Sequence, residues 1–416
     1  MRVLTRRWQR RIIFVVGGLV VGLAAIGLAA ASDYAQQLFR HLLGRFEYAG
    51  LVVTPLGFGL AVYLTNRFFQ NTQGSGIPQA IASRQLESPE ARERLVGLRT
   101  GIGKILMTLL GLLVGASIGR EGPTVQVGAS VMFAIGRLSP NRQPGLILAG
   151  AAAGVAAAFN TPIAGIVFAI EEMGRSFEMR TSGLVFGTII LAGFTSLALV
   201  GNYTYFGSTT ATLRAVDWLA VPVCGAIGGL AGGLFSRALI AVPTQLPQIA
   251  KTWVQKRPVL FAIVCGIGVA VCGYLSGGAA YGTGYIQARD ALHGAGNVSY
   301  FYAPLKLLAT TLSSIAGLPG GIFSPSLSVG AGIGADIAGF FPKGATGAVV
   351  LLGMVSYFTG VVQAPITAFV IVEEMTGNHG MLVPLMASAW IANAASRLVC
   401  HEGVYHALSK RYLPDN

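Results

Sequence analysis

The sequence predicts an all-α, polytopic membrane protein, and three observations lead there. Only 11% of the 416 residues are charged while 53% are hydrophobic, against roughly 25% charged in a soluble domain. Mean hydropathy is +0.64. Several apolar runs approach or reach the ~20 residues that cross a bilayer. The ~10-residue alternating segments of an outer-membrane barrel do not occur, which excludes that architecture.

Taken in order, the first run is 12–31, preceded by Arg2, Arg6, Arg7, Arg10 and Arg11. It resembles a signal peptide but is too long for one and leads into more membrane-like sequence, so it reads as a retained span. The runs 50–65, 184–200 and 345–373 follow as further spans. Arg84, Arg92, Arg94 and Arg99 crowd the loop 82–99. By the positive-inside rule the N-terminus and this loop are expected in the cytoplasm, with 32–49 outside, and Lys410-Arg411 at the C-terminus also suits the cytoplasm. The same clustering accounts for a net charge of +13 without a nucleic-acid partner. Four scattered cysteines, Cys224, Cys265, Cys272 and Cys400, have no paired spacing and read as buried thiols.

The chain is internally duplicated. Gly74-Ser75-Gly76-Ile77-Pro78-Gln79-Ala80 has an echo in Gly282-Thr283-Gly284-Tyr285-Ile286-Gln287-Ala288. The stretch Pro123–Ala129 matches Pro325–Ala331 without a gap, and Lys104 matches Lys306 at the same spacing. Thr161-Pro162-Ile163 leading to Glu171-Glu172-Met173 matches Ala364-Pro365-Ile366 leading to Glu373-Glu374-Met375, with a slip of one residue. Two halves, about 40–210 and 215–400, are expected, joined by a polar linker near 201–217 and forming one transmembrane domain with no soluble domain appended. Sequence alone leaves open whether the halves run parallel or inverted. Two-half transporters place their sites at broken helices where the repeats meet.

Three glycine- and proline-rich breaks interrupt the apolar runs: 74–78 (GSGIP), 119–123 (GREGP) and 320–325 (GGIFSP). Irregular backbone at membrane depth persists only where protein or a water-filled cavity satisfies it. A helix starting there directs free N–H groups and a partial positive charge forward, an anion site in the making. Each break ends in a proline, Pro78, Pro123 or Pro325, a residue tolerated in a first helical turn.

Few acids lie within apolar runs: Glu121, Glu171, Glu172, Asp336, Glu373 and Glu374. Intramembrane carboxylates are functional candidates by default. Glu121 is the hardest to explain structurally. A local pair with Arg120 is the plain alternative, weakened because adjacent residues do not face each other on a helix. Desolvation favours its neutral form and helix N–H groups its carboxylate, a balance that suits a switch between bound and released states. Glu171-Glu172, followed by Arg175 and Arg180, reads either as a solvated helix end or as a cytoplasmic proton entry, and Glu373-Glu374 reads as a plain helix end. His41, His293, His379, His401 and His406 have no metal-ligand spacing, and Gly330-Ala331-Gly332-Ile333-Gly334 lacks the dinucleotide fingerprint. An enzyme is not expected, and neither a metal nor a cofactor.

Together GSGIPQ (74–79), GREGP (119–123), GIFSP (321–325) and the two-half organisation resemble the CLC family of chloride channels and chloride/proton antiporters across nearly the whole chain. The resemblance implies inverted halves of tilted, broken helices, and a homodimer in the inner membrane with one pore per subunit. It implies chloride as substrate, held by Ser75, the backbone N–H groups of Ile322 and Phe323, and the hydroxyl of Tyr405, with Tyr412 the alternative tyrosine. The flanking Gly74, Gly76, Gly119, Arg120, Gly122 and Gly321 then shape the helix starts. Glu121 takes the role of the gating glutamate and Glu172 that of the inner proton-transfer residue, which favours antiport over a passive chloride channel. Ser75 implies chloride rather than nitrate or fluoride, and the short end after Tyr405 implies a prokaryotic form.

Overall fold

The computed structural model describes residues 2–137, 142–174, 182–201, 204–245, 248–294 and 299–414. Arg175 and Arg180 therefore lie outside the described residues. Among the described residues, nineteen α-helices are present. The first nine are α1 (Arg2–Arg45), α2 (Ala49–Phe68), α3 (Ile77–Gln85), α4 (Pro89–Val96), α5 (Leu98–Leu113), α6 (Glu121–Gly136), α7 (Gln143–Phe159), α8 (Pro162–Phe168) and α9 (Ser182–Val200). A π-helical turn, Ala169–Met173, extends α8. Then come α10 (Ala220–Gln245), α11 (Gln248–Lys256), α12 (Pro258–Leu275), α13 (Tyr285–His293) and α14 (Tyr302–Ile315). The chain ends with α15 (Phe323–Ala338), α16 (Thr346–Val362), α17 (Pro365–Thr376), α18 (Leu382–Arg397) and α19 (Val404–Ser409).

Among the described residues, six helical stretches are long and apolar enough to span a bilayer, including Ile13–Arg45, Ala49–Phe68, Gly183–Val200 and Pro258–Leu275. Their outward faces leave large apolar side chains exposed, such as Leu23, Leu56, Phe194 and Ile267. Such a surface is stable in lipid and not in water, and the protein is a multi-pass membrane protein. Inside this ring lie two 17-residue apolar helices, α7 and α16, buried along nearly their whole length. Alanine and glycine make that burial close-packed. A Cβ at Gly128 of α6 would run into the carbonyl of Gly150 of α7, and one at Gly330 of α15 would meet the Gly353 carbonyl of α16 at 2.5 Å.

One of the sequence expectations about the spans is corrected. The run 345–373 is not one span. It divides into α16 and α17, because Gln363 adopts a left-handed φ of 56° and Pro365 then opens a new helix. Asn160, with φ 57°, closes α7 in the same way before Pro162 opens α8. Helix α1 continues through most of segment 32–49, to Arg45. At 1.5 Å per residue α1 is about 66 Å long, well beyond the ~30 Å hydrocarbon core.

The two EEM segments are tied to each other. Glu171 accepts hydrogen bonds from the N–H groups of Ile366 (3.1 Å) and Thr367 (2.6 Å) and from the Thr367 hydroxyl (2.7 Å). Glu374 reciprocates, accepting from Ile163 N–H (3.2 Å) and Ala164 N–H (2.9 Å). Each carboxylate thus caps the helix opened by the other proline, where free N–H groups and the helix dipole favour negative charge. Neither residue ends a solvated helix. Counted from Pro162 and Pro365, Glu171 and Glu374 are equivalent. Glu172 then corresponds to Met375 and has no acidic counterpart. Replacing Glu374 with Ala is expected to cost about 1–3 kcal/mol, the desolvation penalty of orphaned donors. Thermal unfolding of the detergent-solubilised protein at an unchanged midpoint would rule this out.

Candidate functional site

The three breaks meet at one place. Gly74 N–H donates to Leu318 O (3.2 Å), and Gly320 N–H returns a bond to Gly74 O (2.9 Å). Gly119 and Gly321 exchange both backbone bonds, at 2.6 and 2.7 Å. The loops before α3, α6 and α15 are therefore stitched together by backbone hydrogen bonds. Pro78, Pro123 and Pro325 all fall in the first turns of these helices. The N-terminal N–H groups of a helix have no partner within it, so three such ends gather partial positive charge in one region.

The close approach depends on residues without a Cβ. A Cβ on Gly122 would sit 2.8 Å from Ser75 O, 2.9 Å from Ser75 Cβ and 3.2 Å from Gly321 Cα. Gly76, the residue before α3, has φ 94°, a region that favours glycine. Lys104 reinforces this loop: its buried ammonium donates to Thr72 O (2.8 Å) and Gly74 O (2.5 Å). Lys306 does the same ahead of α13, donating to Ala280 O (3.0 Å) and Gly282 O (2.6 Å). A buried ammonium is tolerable only with such partners, and these two fix the glycine loops they reach.

Ser75, Ile322 and Tyr405 share the wall of a cavity of about 320 Å³, with Gly74, Pro78 and Gly320. The Tyr405 hydroxyl is buried and makes no hydrogen bond to protein. Leaving such a group unpaired costs about 1–3 kcal/mol, so it is suited to donate to a ligand. Ser75 Oγ accepts a bond from Ile77 N–H (3.3 Å), which leaves its own proton available. Phe323 opens α15 and packs edge-on against Phe358 (4.8 Å between centroids) and obliquely on Tyr405 (5.8 Å). These contacts hold Tyr405 beside the start of α15. Tyr412, the alternative tyrosine, and Arg411 line the same cavity further along the chain, and Tyr412 is only half-buried.

Glu121 is the first residue of α6 and is fully buried. Its Oε1 accepts a 2.5 Å hydrogen bond from Ser324 Oγ, and its Oε2 is buried without a hydrogen bond. Arg120 does not neutralise it as a local pair. The guanidinium reaches to α1 instead, 2.7 Å from Asp33 Oδ1 and donating to Ala29 O at 2.7 Å. Both contacts fix the break to α1. Ser324 and Asp33 were not singled out from the sequence. Ser324 stands in the second-half break, where a hydroxyl facing a charged first-half break was the available signal; nothing local marked Asp33.

Glu172 lies in the π-helical turn, with a side chain only 5% exposed, and His406 Nδ1 stands 3.2 Å from its Oε1. Arg84 of α3 donates to the neighbouring carbonyl of Met173, holding this turn against α3. The arrangement gathers two hydroxyls and two helix starts around one cavity, with Glu121 at the neighbouring helix start and Glu172 beside α19.

Residues 49–397 match the family described as voltage gated chloride channel. The H(+)/Cl(-) exchange transporter ClcA of Yersinia pseudotuberculosis serotype IB is 30% identical over 97% of this chain and 87% of its own length. The ClcA of Citrobacter koseri is 28% identical over 96% and 87%. Two solved structures share the fold: a slow cyanobacterial Cl-/H+ antiporter (TM-score 0.79, 23% identity, 97% of both chains) and a CLC-type fluoride/proton antiporter (TM-score 0.80, 21% identity, 96% of this chain and 97% of that one). The matched span and the shared architecture of broken helices leave one conclusion: the chain belongs to the voltage-gated chloride channel family.

Proposed function

We propose that this protein is a secondary active transporter that exchanges chloride for protons, and not an enzyme. The observation that carries the reading is the cavity wall shared by Ser75, Ile322 and the unpaired Tyr405 hydroxyl, with Glu121 buried at the neighbouring helix start. The names of the curated relatives, H(+)/Cl(-) exchange transporters, support it. Chloride is held by the hydroxyls of Ser75 and Tyr405 and by the backbone N–H groups of Ile322 and Phe323. It needs no cofactor or metal. Glu121 as a carboxylate competes for the same partial positive charge, and protonation releases it so that an anion takes its place. Glu172 passes protons between the inner aqueous face and Glu121.

The remaining assignments belong to the same proposal. The chain forms one transport domain of two halves, about 40–210 and 215–400, in the inner membrane with both termini cytoplasmic. It works as a homodimer with one pore per subunit. In sealed vesicles a chloride gradient should drive protons uphill; chloride flux without proton movement would leave a passive channel. Calorimetric titration tests the anion site separately. Tyr405→Phe should weaken chloride binding about tenfold or more, the loss of one hydrogen bond to a charged group, and unchanged affinity would remove Tyr405 from the site.

A further inference from the structure

We infer that His406 is the relay that loads protons onto Glu172 from the aqueous face; this rests on reading Glu172 as the inner proton-transfer residue. Two observations carry it. His406 Nδ1 lies 3.2 Å from Glu172 Oε1, and the two side chains are 23% and 5% exposed. One proton-binding group keeps some exposed surface while the other is almost fully buried. The contact joins residues 234 apart in sequence, from two elements that the fold holds in place: the π-helical turn, gripped by Arg84, and the short α19, where Ser409 Oγ donates to His406 O at 2.8 Å.

Helix α19 sorts its side chains by direction. Tyr405 and Leu408 line the anion cavity, while His406 turns to Glu172. Consecutive helical residues point about 100° apart, so one turn of helix serves both paths and keeps them separate. The ionisable groups on the elements packed against α19 are Arg84 of α3, Cys224 and Arg237 of α10, Tyr357 of α16 and Glu171-Glu172 of the π-helical turn, followed by Lys410, Arg411 and Tyr412. Glu171 is committed to capping α17, and Lys410 is paired with Glu402 at 2.5 Å. Glu172 is thus the carboxylate in contact with the imidazole.

The transfer is balanced. A hydronium ion gives its proton to Nε2 of His406 in the neutral Nδ1–H tautomer, leaving water and forming the imidazolium. The Nδ1–H bond breaks as the Glu172 Oε1–H bond forms, leaving a neutral carboxylic acid and an imidazole protonated at Nε2. Once Glu172 has passed its proton on and released the ring, loss of the Nε2 proton to one water and uptake of a proton from another water at Nδ1 restore the starting tautomer with no net change in protons. Imidazole is suited to this step because each of its two ring nitrogens can bind and release a proton.

The test uses the full-length protein in vesicles, with His406→Gln, His406→Ala and Glu172→Gln measured side by side. Proton flux in His406→Gln should fall about tenfold or more with chloride flux within about twofold of wild type. The dependence of proton flux on inner-face pH should flatten. Added imidazole at that face should restore proton flux to His406→Ala, which a purely structural role does not predict. Wild-type proton flux and pH profile in His406→Gln, with flux abolished in Glu172→Gln, would overturn the relay and leave Glu172 in place. Full proton flux in Glu172→Gln would overturn the underlying reading instead. If His406→Ala loses both fluxes and imidazole restores neither, His406 is structural and the inference fails.

Discussion

Replacing Glu121 with Gln should stop proton transport while chloride continues to cross. Gln has nearly the volume of Glu and keeps an oxygen to accept from Ser324, whose hydroxyl holds Oε1 at 2.5 Å. The substitution therefore removes charge and titration and leaves packing intact. An uncharged side chain at the start of α6 no longer competes for the partial positive charge there, so the anion path stays open. It also carries no proton. The expected loss of proton flux is on the order of a hundredfold or more, the scale on which a positioned proton-transfer group acts. Parallel pH-electrode and chloride-electrode traces in vesicles measure it. Persistent uphill proton movement in Glu121→Gln would show that another group carries the proton.

Gly122→Ala should do the opposite and damage the anion site itself. The added methyl would meet Ser75 O at 2.8 Å, Ser75 Cβ at 2.9 Å and Gly321 Cα at 3.2 Å. Two of these three obstacles are backbone, and no rotamer change relieves them. Overpacking of this kind costs about 1–3 kcal/mol. Relief by separating the loops would strain the reciprocal Gly119–Gly321 bonds of 2.6 and 2.7 Å and move the starts of α3 and α15 apart. Chloride affinity should drop at least about tenfold, since 1.4 kcal/mol suffices for that factor, and both fluxes should fall together. Calorimetry on the purified protein checks the first outcome and vesicle flux the second. Wild-type chloride affinity in Gly122→Ala would show that the loops do not need this approach to hold the anion.

The two variants separate features of different legibility. The breaks at 74–78, 119–123 and 320–325 were readable because glycine and proline act on their own backbone, within a few residues. The lone carboxylate in an apolar run was readable for a similar reason: its cost does not depend on knowing its neighbours. Arg120 shows the limit. Its sequence neighbour Glu121 was the obvious partner, yet its ion pair is with Asp33 on α1, 87 positions away. The acidic pairs show another. Alignment by the EEM letters sets Glu171 opposite Glu373, whereas the folded chain makes Glu171 and Glu374 the reciprocal caps. A shift of one residue, absorbed by the π-helical turn, changes which acid is structural.

What the sequence by itself determined is local chemistry: the all-α membrane class from apolar length, the helix breaks from glycine and proline, and the candidate hydroxyls and carboxylates from their motifs. What only the tertiary structure decided is partnership. Ser324 on Glu121, His406 on Glu172, Asp33 on Arg120 and the crossed caps of α8 and α17 join residues that lie between 87 and 234 positions apart. Backbone propensity acts over a turn or two of chain, whereas a hydrogen bond or ion pair depends on separation in space. Which distant side chains come within hydrogen-bonding distance is set by how the helices pack.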